Sequence, residues 1–464
     1  MKPFDLIIGA ALGVGLAACA SVETQDDLAS VADTAPAELV EDSGLDIVVH
    51  EGDFAEIQQF TTPGGVSVWL VSEPSIPILS VAMAWEGGEA ADPEGLEGLA
   101  DAVVYHMNEG AGDLDSLAFQ TRMEDLNMSF GCSASSDWTS CSASMLTDNA
   151  DEAMSLVAQA FEAPRFDAGP FARFQREREV SLNTRETNAR YLAGRAEAQA
   201  IYPDHPYARE TSAESIAALT PELAKAHMRK LMVKDSLIVT AVGAITPEEL
   251  APMLDAIAES LPESNDLPET PEITFTVDGA FEPVLIDLPQ PQSLVRFLAP
   301  GLKREDPDFF TAYVVNYTYG GGGFGSRLME SLRVQKGLTY GVYTWLSFDD
   351  TYQNWGGSGQ TKNESVGEFV EALLAETALI AEEGITAEEL ADAKAYLTGS
   401  YPLAFDSNAK IAGQMMSVRQ DELGVDYFDR RNALIEAVTL EDANRVAAEF
   451  LQPDRFSFIM VGQP

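Results

Sequence analysis

The sequence predicts an α+β protein of two homologous domains in tandem, each a mainly antiparallel sheet packed with helices, that together enclose a cleft. Two observations predict this fold: predicted strands alternate with predicted helices, and one pattern of elements occurs twice along the chain. A third observation agrees, because 464 residues with 46% hydrophobic content are too many for one ordinary core. Duplicated domains commonly meet across a cleft, which is a frequent place for a ligand.

Strands are predicted where short apolar runs alternate with other residues, and helices where longer amphipathic segments follow. The first half has two such strands, at 66–70 and 78–85, and ends with a third at 237–242. Its helices are predicted at 97–108, 114–126, 150–161, 169–200 and 221–232. Strands followed by a run of helices are typical of an α+β unit.

The second half repeats this unit at an offset of 219 positions. Residues 220–243 align without a gap with residues 439–462, and identities recur along the alignment. At the same offset, the helix at 99–105 is expected to match the one that precedes Gly320. One α+β unit therefore occurs twice.

Four segments follow from these patterns. Residues 1–19 form a leader, and residues 20–47, which are polar, acidic and almost free of aromatic side chains, form a flexible tether. The repeated units are an N-terminal domain at 48–262 and a C-terminal domain at 263–464. A stretch rich in proline and acidic residues, 261–272, joins them.

The leader resembles the signal peptide of a bacterial lipoprotein. Its apolar run Leu6–Ala18 has 13 residues, fewer than the roughly 20 that a membrane-spanning helix needs. The run ends in Leu-Ala-Ala-Cys, which resembles a lipobox, so Cys19 is predicted to carry a lipid. A plain secretory signal is the alternative, and Asp5 favours it. Ala20 and Ser21 are not the aspartate that retains such proteins at the inner membrane, which favours the periplasmic face of the outer membrane.

The chain is strongly acidic, with 28 Lys and Arg against 75 Asp and Glu and a formal net charge of −47. Such a surface repels phosphate backbones and anionic lipid headgroups, and the sequence has no basic stripe, so we set nucleic-acid binding aside. The acidic residues are spread along the chain, and we interpret them as a solvated surface.

Export makes a disulfide possible between the two remaining cysteines, Cys132 and Cys141. A turn signal at Ser136-Asp137 lies midway between them, so a two-residue hairpin places them opposite each other. Opposed residues in antiparallel strands have Cα atoms about 4.5–5.5 Å apart, a range that a disulfide spans. Two buried free thiols are the alternative.

A helix in the first half carries Gly-Leu-Ala at 98–100 and Met-Asn-Glu-Gly at 107–110. This frame resembles the N-terminal domain of the pitrilysin/insulinase (inverzincin) metallopeptidases, whose helix holds the zinc motif H-x-x-E-H. Asp101, Val104 and Tyr105 stand where that family has His, Glu and His. The resemblance implies a zinc-site-deficient member, because valine cannot accept a proton and both imidazole ligands are missing.

The family's third zinc ligand is a downstream glutamate, and Glu179 and Glu186 stand in matching places. They lack metal-binding partners, since the four histidines include no pair at helical ligand spacing. We interpret both as a trace of ancestry or as solvated surface. No metal is therefore expected in this chain. The segment His205-Pro206-Tyr207 also resembles a family loop, and we interpret it as a rigid local turn, with lining of the cleft as the alternative.

Residues 319–340 resemble the family's C-terminal motif, in which an arginine and a tyrosine seven positions apart contact the substrate backbone. Arg333 and Tyr340 match this pair. Both side chains donate hydrogen bonds, which suits a peptide carbonyl or the oxyanion formed from it. An ion pair of Arg333 with Glu330 and ordinary strand packing of Tyr340 are the structural alternatives. The glycine run before Arg333 lacks the Gly-Lys-Ser/Thr ending of a phosphate-binding loop.

The resemblance, which covers about 48–464, implies a non-catalytic, substrate-binding subunit of an envelope zinc metallopeptidase. In this hypothesis a paralogous partner holds zinc, the two chains form a heterodimer or larger complex, and this chain supplies Arg333 and Tyr340 to the peptide substrate. Little or no peptidase activity is expected of the chain alone. The alternative is a stand-alone peptide-binding or scaffold protein of the cell envelope without proteolysis.

Overall fold

The computed structural model describes residues 44–273, 281–348 and 351–464. The predicted leader, with Cys19, and nearly all of the predicted tether lie outside these residues. Leu45 and Ile47 already pack into the first core, so packing begins ahead of the predicted boundary at 48. Within the described ranges, no helix is long and apolar enough to cross a bilayer.

The strands of the described residues form two sheets, one of seven strands and one of five. The first sheet contains β1 (Val48–Glu51), β2 (Glu56–Thr61), β3 (Ser67–Ser72), β4 (Ile78–Glu86), β5 (Ser129–Ala134), β6 (Trp138–Leu146) and β7 (Ile238–Gly243). The second sheet contains β8 (Val284–Asp287), β9 (Gln292–Pro300), β10 (Thr339–Phe348), β11 (Gln353–Lys362) and β12 (Ser457–Gly462).

Helices pack against both sheets, which confirms the predicted α+β class. Those of the first half are α1 (Leu99–His106), α2 (Ser116–Asp125), α3 (Ala150–Glu162), α4 (Ala168–Arg185), α5 (Ala189–Ile201), α6 (Ala213–Ala218), α7 (Pro221–Leu231) and α8 (Pro247–Ala258). Those of the second half are α9 (Phe309–Asn316), α10 (Val366–Glu383), α11 (Ala387–Gly399), α12 (Asn408–Gln420), α13 (Tyr427–Ala437) and α14 (Leu440–Phe450).

The prediction of a single helix at 169–200 is wrong, because the structure has two helices there, α4 and α5. The Asn188 side chain accepts hydrogen bonds from the backbone N–H groups of Arg190 and Tyr191. A side-chain oxygen that binds these otherwise unpaired N–H groups starts a helix. The helical backbone is therefore interrupted at Asn188, and α5 begins there as a separate helix.

Five strands have the same order in both sheets: β3-β7-β4-β6-β5 in the first and β8-β12-β9-β11-β10 in the second. In each set the first pair is parallel and the other pairs are antiparallel. The offset of 219 holds for α5 and α12, which begin at 189 and 408. It is wrong for α1 and α9, which begin at 99 and 309, an offset of 210. The segment from the start of α9 to the start of α12 is therefore longer than the matching segment from α1 to α5.

The two halves exchange one helix each. Helix α12 of the second half packs on β4 and β7 of the first sheet, and α5 of the first half packs on β9 and β12 of the second sheet. Polar contacts fix α12 in place: Asn408 donates to the carbonyl of Ile78 at 2.8 Å, and Thr240 donates to the carbonyl of Ala412 at 2.8 Å. Each half therefore supplies part of the other half's core.

A half-buried arginine and a buried glutamate anchor the exchanged helices. Arg419 of α12 donates to the carbonyl oxygens of Ser67 at 3.0 Å and Val239 at 2.7 Å, and burial lowers the pKa of Arg419 to about 10. On α5, the buried Glu197 forms an ion pair with Arg296 of β9. Removing one partner of a buried pair leaves an uncompensated charge, so these contacts favour this one arrangement of the halves.

Strands β5 and β6 form a hairpin in which Cys132 lies directly opposite Cys141. Their sulfur atoms are bonded to each other. The turn at Ser136-Asp137 predicts this register. Because β5 is an edge strand of the first sheet, the bond ties that edge to its neighbour.

His106, the last residue of α1, is fully buried among aromatic rings. The ring centroids of Phe166, Phe171 and Phe174 lie 5.3, 5.0 and 5.8 Å from the imidazole. Nδ1 lies 2.7 Å from the carbonyl oxygen of Ala102, and since a carbonyl can only accept, Nδ1 carries the proton. Nε2 has no partner among the described residues. Because burial disfavours the charged form of the imidazole, the pKa of His106 is lowered.

This lowered pKa predicts acid sensitivity. The unfolded chain takes up a proton at position 106 more readily than the folded chain, so this contribution to stability is present above about pH 6.5 and is lost as the pH falls. We expect His106→Phe to lose less stability than wild type between pH 7.5 and pH 5. Urea unfolding of both proteins at the two pH values measures the difference. Equal losses would show that His106 does not contribute to the pH dependence.

Candidate functional site

The start of α1 is fixed by one buried carboxylate. Asp92 accepts hydrogen bonds from the backbone N–H groups of Gly98, Leu99 and Ala100 at 2.8, 2.9 and 2.8 Å. These are N–H groups that a helix start leaves unpaired, and a negative charge there also favours the helix dipole. Nε2 of the buried His227 lies 3.0 Å from the same carboxylate. The motif residues of α1 are therefore held on a rigid helix.

Asp101 is bound by an arginine of the facing helix α4. Nη2 of Arg178 donates to Oδ1 of Asp101 at 2.8 Å, and Nε donates to Oδ2. This two-point contact matches a guanidinium to a carboxylate, and the hydrogen bond to Asp101 raises the pKa of Arg178. The first position of the zinc motif is thus a carboxylate already neutralised within the chain.

Tyr105, at the last motif position, is also engaged by α4. Its hydroxyl donates to Glu177 at 3.0 Å and accepts from Nε of Arg173 at 3.0 Å. Arg173 also forms an ion pair with Glu109 at 2.5 Å. Burial raises the pKa of Tyr105, so the phenol stays protonated at neutral pH. Val104 between these positions is buried.

The two glutamates that the sequence suggested as former ligands lie elsewhere. Glu179 is exposed, and Glu186 forms an ion pair with Arg195 at 2.8 Å. Among the described residues, neither has a hydrogen bond or ion pair to α1. The α4 side chains that contact the motif are those of Arg173, Phe174, Glu177 and Arg178.

This arrangement does not fit zinc. The motif supplies one carboxylate bound to a guanidinium, one alkyl side chain and one phenol, whereas zinc sites use imidazole, thiolate or free carboxylate. In the part of the chain that the structure describes, no group of three or more His, Cys, Asp or Glu side chains could hold a metal ion. We therefore derive no metal chemistry in this chain.

Arg333 lies in a π-helical turn, Met329–Gln335, next to an exposed aromatic ring. Its guanidinium carbon is 4.4 Å from the ring centroid of Phe324, whose side chain is 71% exposed. Glu330, the alternative partner, instead accepts from Gln335 at 3.3 Å, and no described residue forms an ion pair with Arg333. The guanidinium is therefore held by a cation–π contact that leaves its N–H donors available.

Tyr340 is the second residue of the edge strand β10 and is 85% exposed, so its ring is not packed in the sheet. A bulge explains this exposure: the pairing with β11 is irregular between Thr339 and Val342. The Thr339 hydroxyl accepts from the N–H of Gly341 at 3.0 Å and donates to the carbonyl of Gln360 at 2.6 Å, which fixes the bulge. Bulges redirect a side chain and are common beside functional sites.

The structure therefore contains two separate sets of residues. No hydrogen bond, ion pair or ring contact between described residues joins Arg333 or Tyr340 to the α1–α4 network. The predicted turn His205-Pro206-Tyr207 belongs to neither set: Nε2 of His205 is 2.7 Å from the carbonyl oxygen of Pro271, and Tyr207 donates to Asp137.

The family comparisons match these features. Residues 67–213 match the model for Insulinase (Peptidase family M16), and residues 218–397 match the model for the Peptidase M16 inactive domain. The non-peptidase homolog YmxG of Helicobacter pylori is 28% identical over 331 residues, which cover 71% of this chain and 76% of that relative. The mitochondrial-processing peptidase subunit beta of Blastocladiella emersonii is 21% identical over 423 residues, which cover 86% of this chain and 87% of that relative.

A solved structure agrees with these sequence matches. The crystal structure of a peptidase M16 inactive domain from Pseudomonas fluorescens has a TM-score of 0.81 and 25% identity, and the match covers 88% of this chain and 98% of that chain. Together with the duplicated topology and the degenerate H-x-x-E-H frame on α1, these matches show that the chain belongs to the insulinase family, M16.

Proposed function

We propose that this chain is the non-catalytic, substrate-binding subunit of a zinc metallopeptidase complex in the bacterial cell envelope. The observation that carries the proposal is the ion pair between Asp101 and Arg178. Where the family has a zinc ligand, this chain has a carboxylate whose charge is already matched by the facing helix. The zinc of the complex then belongs to a partner chain, a paralogue with an intact motif.

Arg333 and Tyr340 are the groups that this chain offers to a peptide. Tyr340 stands on a bulged edge strand with its hydroxyl in solvent, and the Phe324 ring holds the Arg333 guanidinium. Both donate hydrogen bonds, and a peptide carbonyl gains negative charge as it is attacked. Donors fixed in advance at that oxygen stabilise the transition state more than the ground state. In the complex, these two residues would position the peptide for the partner.

The names of the relatives support this division of labour. One is named a non-peptidase homolog and another a subunit of a processing peptidase. The leader supports the location, because its lipobox-like end predicts a lipid on Cys19 and an anchor at the periplasmic face of the outer membrane.

The first test concerns metal. We expect the purified chain to contain no stoichiometric zinc, and the variant D101H/V104E/Y105H to remain a poor zinc binder, because the fixed cation of Arg178 repels a second cation at the same place. Adding R178E removes this cation and supplies a carboxylate, so we expect zinc affinity to rise by about tenfold or more. Elemental analysis and calorimetric titration measure both.

One tightly held zinc per wild-type chain would contradict the non-catalytic assignment. Equal zinc affinity of the variants with and without R178E would show that Arg178 does not keep the metal out. Gel filtration and unfolding midpoints serve as folding controls for each variant.

The second test concerns the pair in the second half. We expect Arg333→Ala and Tyr340→Phe each to reduce turnover of a quenched peptide by the isolated complex on the order of 10²-fold to 10³-fold, the cost of losing one oxyanion donor. Association with the partner, followed by gel filtration, should not change. The complex is obtained by affinity purification of the tagged chain from its native envelope.

The matched controls are Lys336→Ala and Tyr343→Phe, which remove an exposed cation and a partly exposed phenol hydroxyl from the same two segments. Both controls should keep wild-type turnover. Wild-type rates from Arg333→Ala and Tyr340→Phe as well would mean that the pair is structural, and the stand-alone peptide-binding or scaffold function would then be favoured.

A further inference from the structure

A groove of about 830 Å³ runs between α3 and α8 in the first half. Its volume lies in the upper part of the range typical of binding sites, whereas a smaller cavity beside Asp92 has only about 60 Å³. The groove belongs to the helical layer of the first half, away from the face of the first sheet that α12 covers. It is therefore separate from the segment that carries Arg333 and Tyr340.

The floor of the groove is formed in part by apolar, adaptable side chains. Met154 and Ala158 of α3 and Met253 and Ala256 of α8 line it, with Leu114 at one side. Three uncharged polar side chains also line the groove, those of Ser155, Gln159 and Ser260. Methionine side chains fit differently shaped partners because they are unbranched and polarisable. The two alanines are too short to close the space between the helices. The groove is thus a consequence of small and flexible residues on two neighbouring helix faces.

The rim of the groove is acidic. Four carboxylates line it, from Asp151, Glu152, Glu162 and Glu259, against the single guanidinium of Arg122. Arg122 forms an ion pair with Glu152. The other three carboxylates have no hydrogen bond or ion pair to any described residue. Three negative charges therefore face solvent beside an apolar floor.

The apolar side chains on the floor and the carboxylates at the rim together determine which kind of partner the groove can bind. We propose that the α3–α8 groove binds a basic amphipathic helix of a partner protein, with apolar side chains on the floor and Lys or Arg at the rim. A second copy of this chain is disfavoured, because each copy has a net charge of −47 and would bring like charge to the rim. The acidic segment 20–47 of the chain itself is disfavoured for the same reason. This proposal is independent of the one for Arg333 and Tyr340.

The length of the groove sets the length of the ligand. Helix α3 has 13 residues, which corresponds to about 20 Å, so a helix of three to four turns fits alongside it. Binding should weaken as salt is added, because exposed carboxylates at the rim are screened. Contacts with the apolar floor should contribute a part of the binding affinity that added salt does not remove.

The test uses a fluorescein-labelled synthetic peptide about 14 residues long, with Leu on one helical face and Lys on the other. Fluorescence anisotropy with the full chain measures its affinity. We expect Ala256→Trp, which fills the groove without changing charge, to weaken binding by about tenfold or more. D151N/E162Q should weaken binding to a similar extent and flatten its salt dependence.

The matched control is E368Q/E371Q on α10, which removes the same charge from exposed positions of the counterpart helix in the second half. This variant should bind the peptide like wild type. Equal weakening by the control would show general attraction to an acidic protein and would overturn the proposal, as would unchanged binding by Ala256→Trp. Unfolding midpoints close to wild type confirm that each variant is folded.

Discussion

The ion pair between Asp101 of α1 and Arg178 of α4 is the constraint on which the degenerate site depends. In a zinc site of this family, side chains from two helices bind one metal ion. Without the imidazoles and the metal, like charges or unpaired polar groups of the two helices would face each other. In this chain the guanidinium supplies the cation as a side chain, bound at two points. Tyr105 completes the contact through Glu177 and Arg173. The two helices therefore stay packed without a metal, so the fold could persist after the chemistry was lost.

The exchange of α5 and α12 places the two halves in a fixed relation. Each helix covers the sheet of the other half, and two charged side chains, the buried Glu197 on α5 and the half-buried Arg419 on α12, attach the helices to these sheets. Separation of the halves would expose both sheet faces and break both polar contacts. The bulge that exposes Tyr340 is thus built on a rigid scaffold, which suits the peptide-binding role that we propose for this residue.

Patterns local in sequence were predictable, and contacts between distant elements were not. The register of the β5–β6 hairpin follows from the turn at Ser136-Asp137, because strand pairing across a short turn is fixed by its position. The degenerate motif on α1 could be read because its frame survives. The partner of Asp101 could not be found, since Arg178 lies 77 positions away and becomes a neighbour only when α4 packs on α1. The exchange of α5 and α12 could not be predicted from the sequence. The apolar pattern of a helix shows that one face is buried, but it does not show which of the two sheets covers that face.

The most direct test of this account is the coupling energy between Asp101 and Arg178. Urea unfolding of wild type, D101N, R178Q and the double variant, all with a chelator present, forms a double-mutant cycle. We expect a coupling of about 1 kcal/mol or more, because the contact is bidentate and half-buried. The exposed pair Glu186–Arg195 gives a reference cycle that should lie near the low end for surface pairs. A coupling no larger than this reference, or a loss of stability when the chelator is added to wild type, would contradict the claim that an ion pair has replaced the metal.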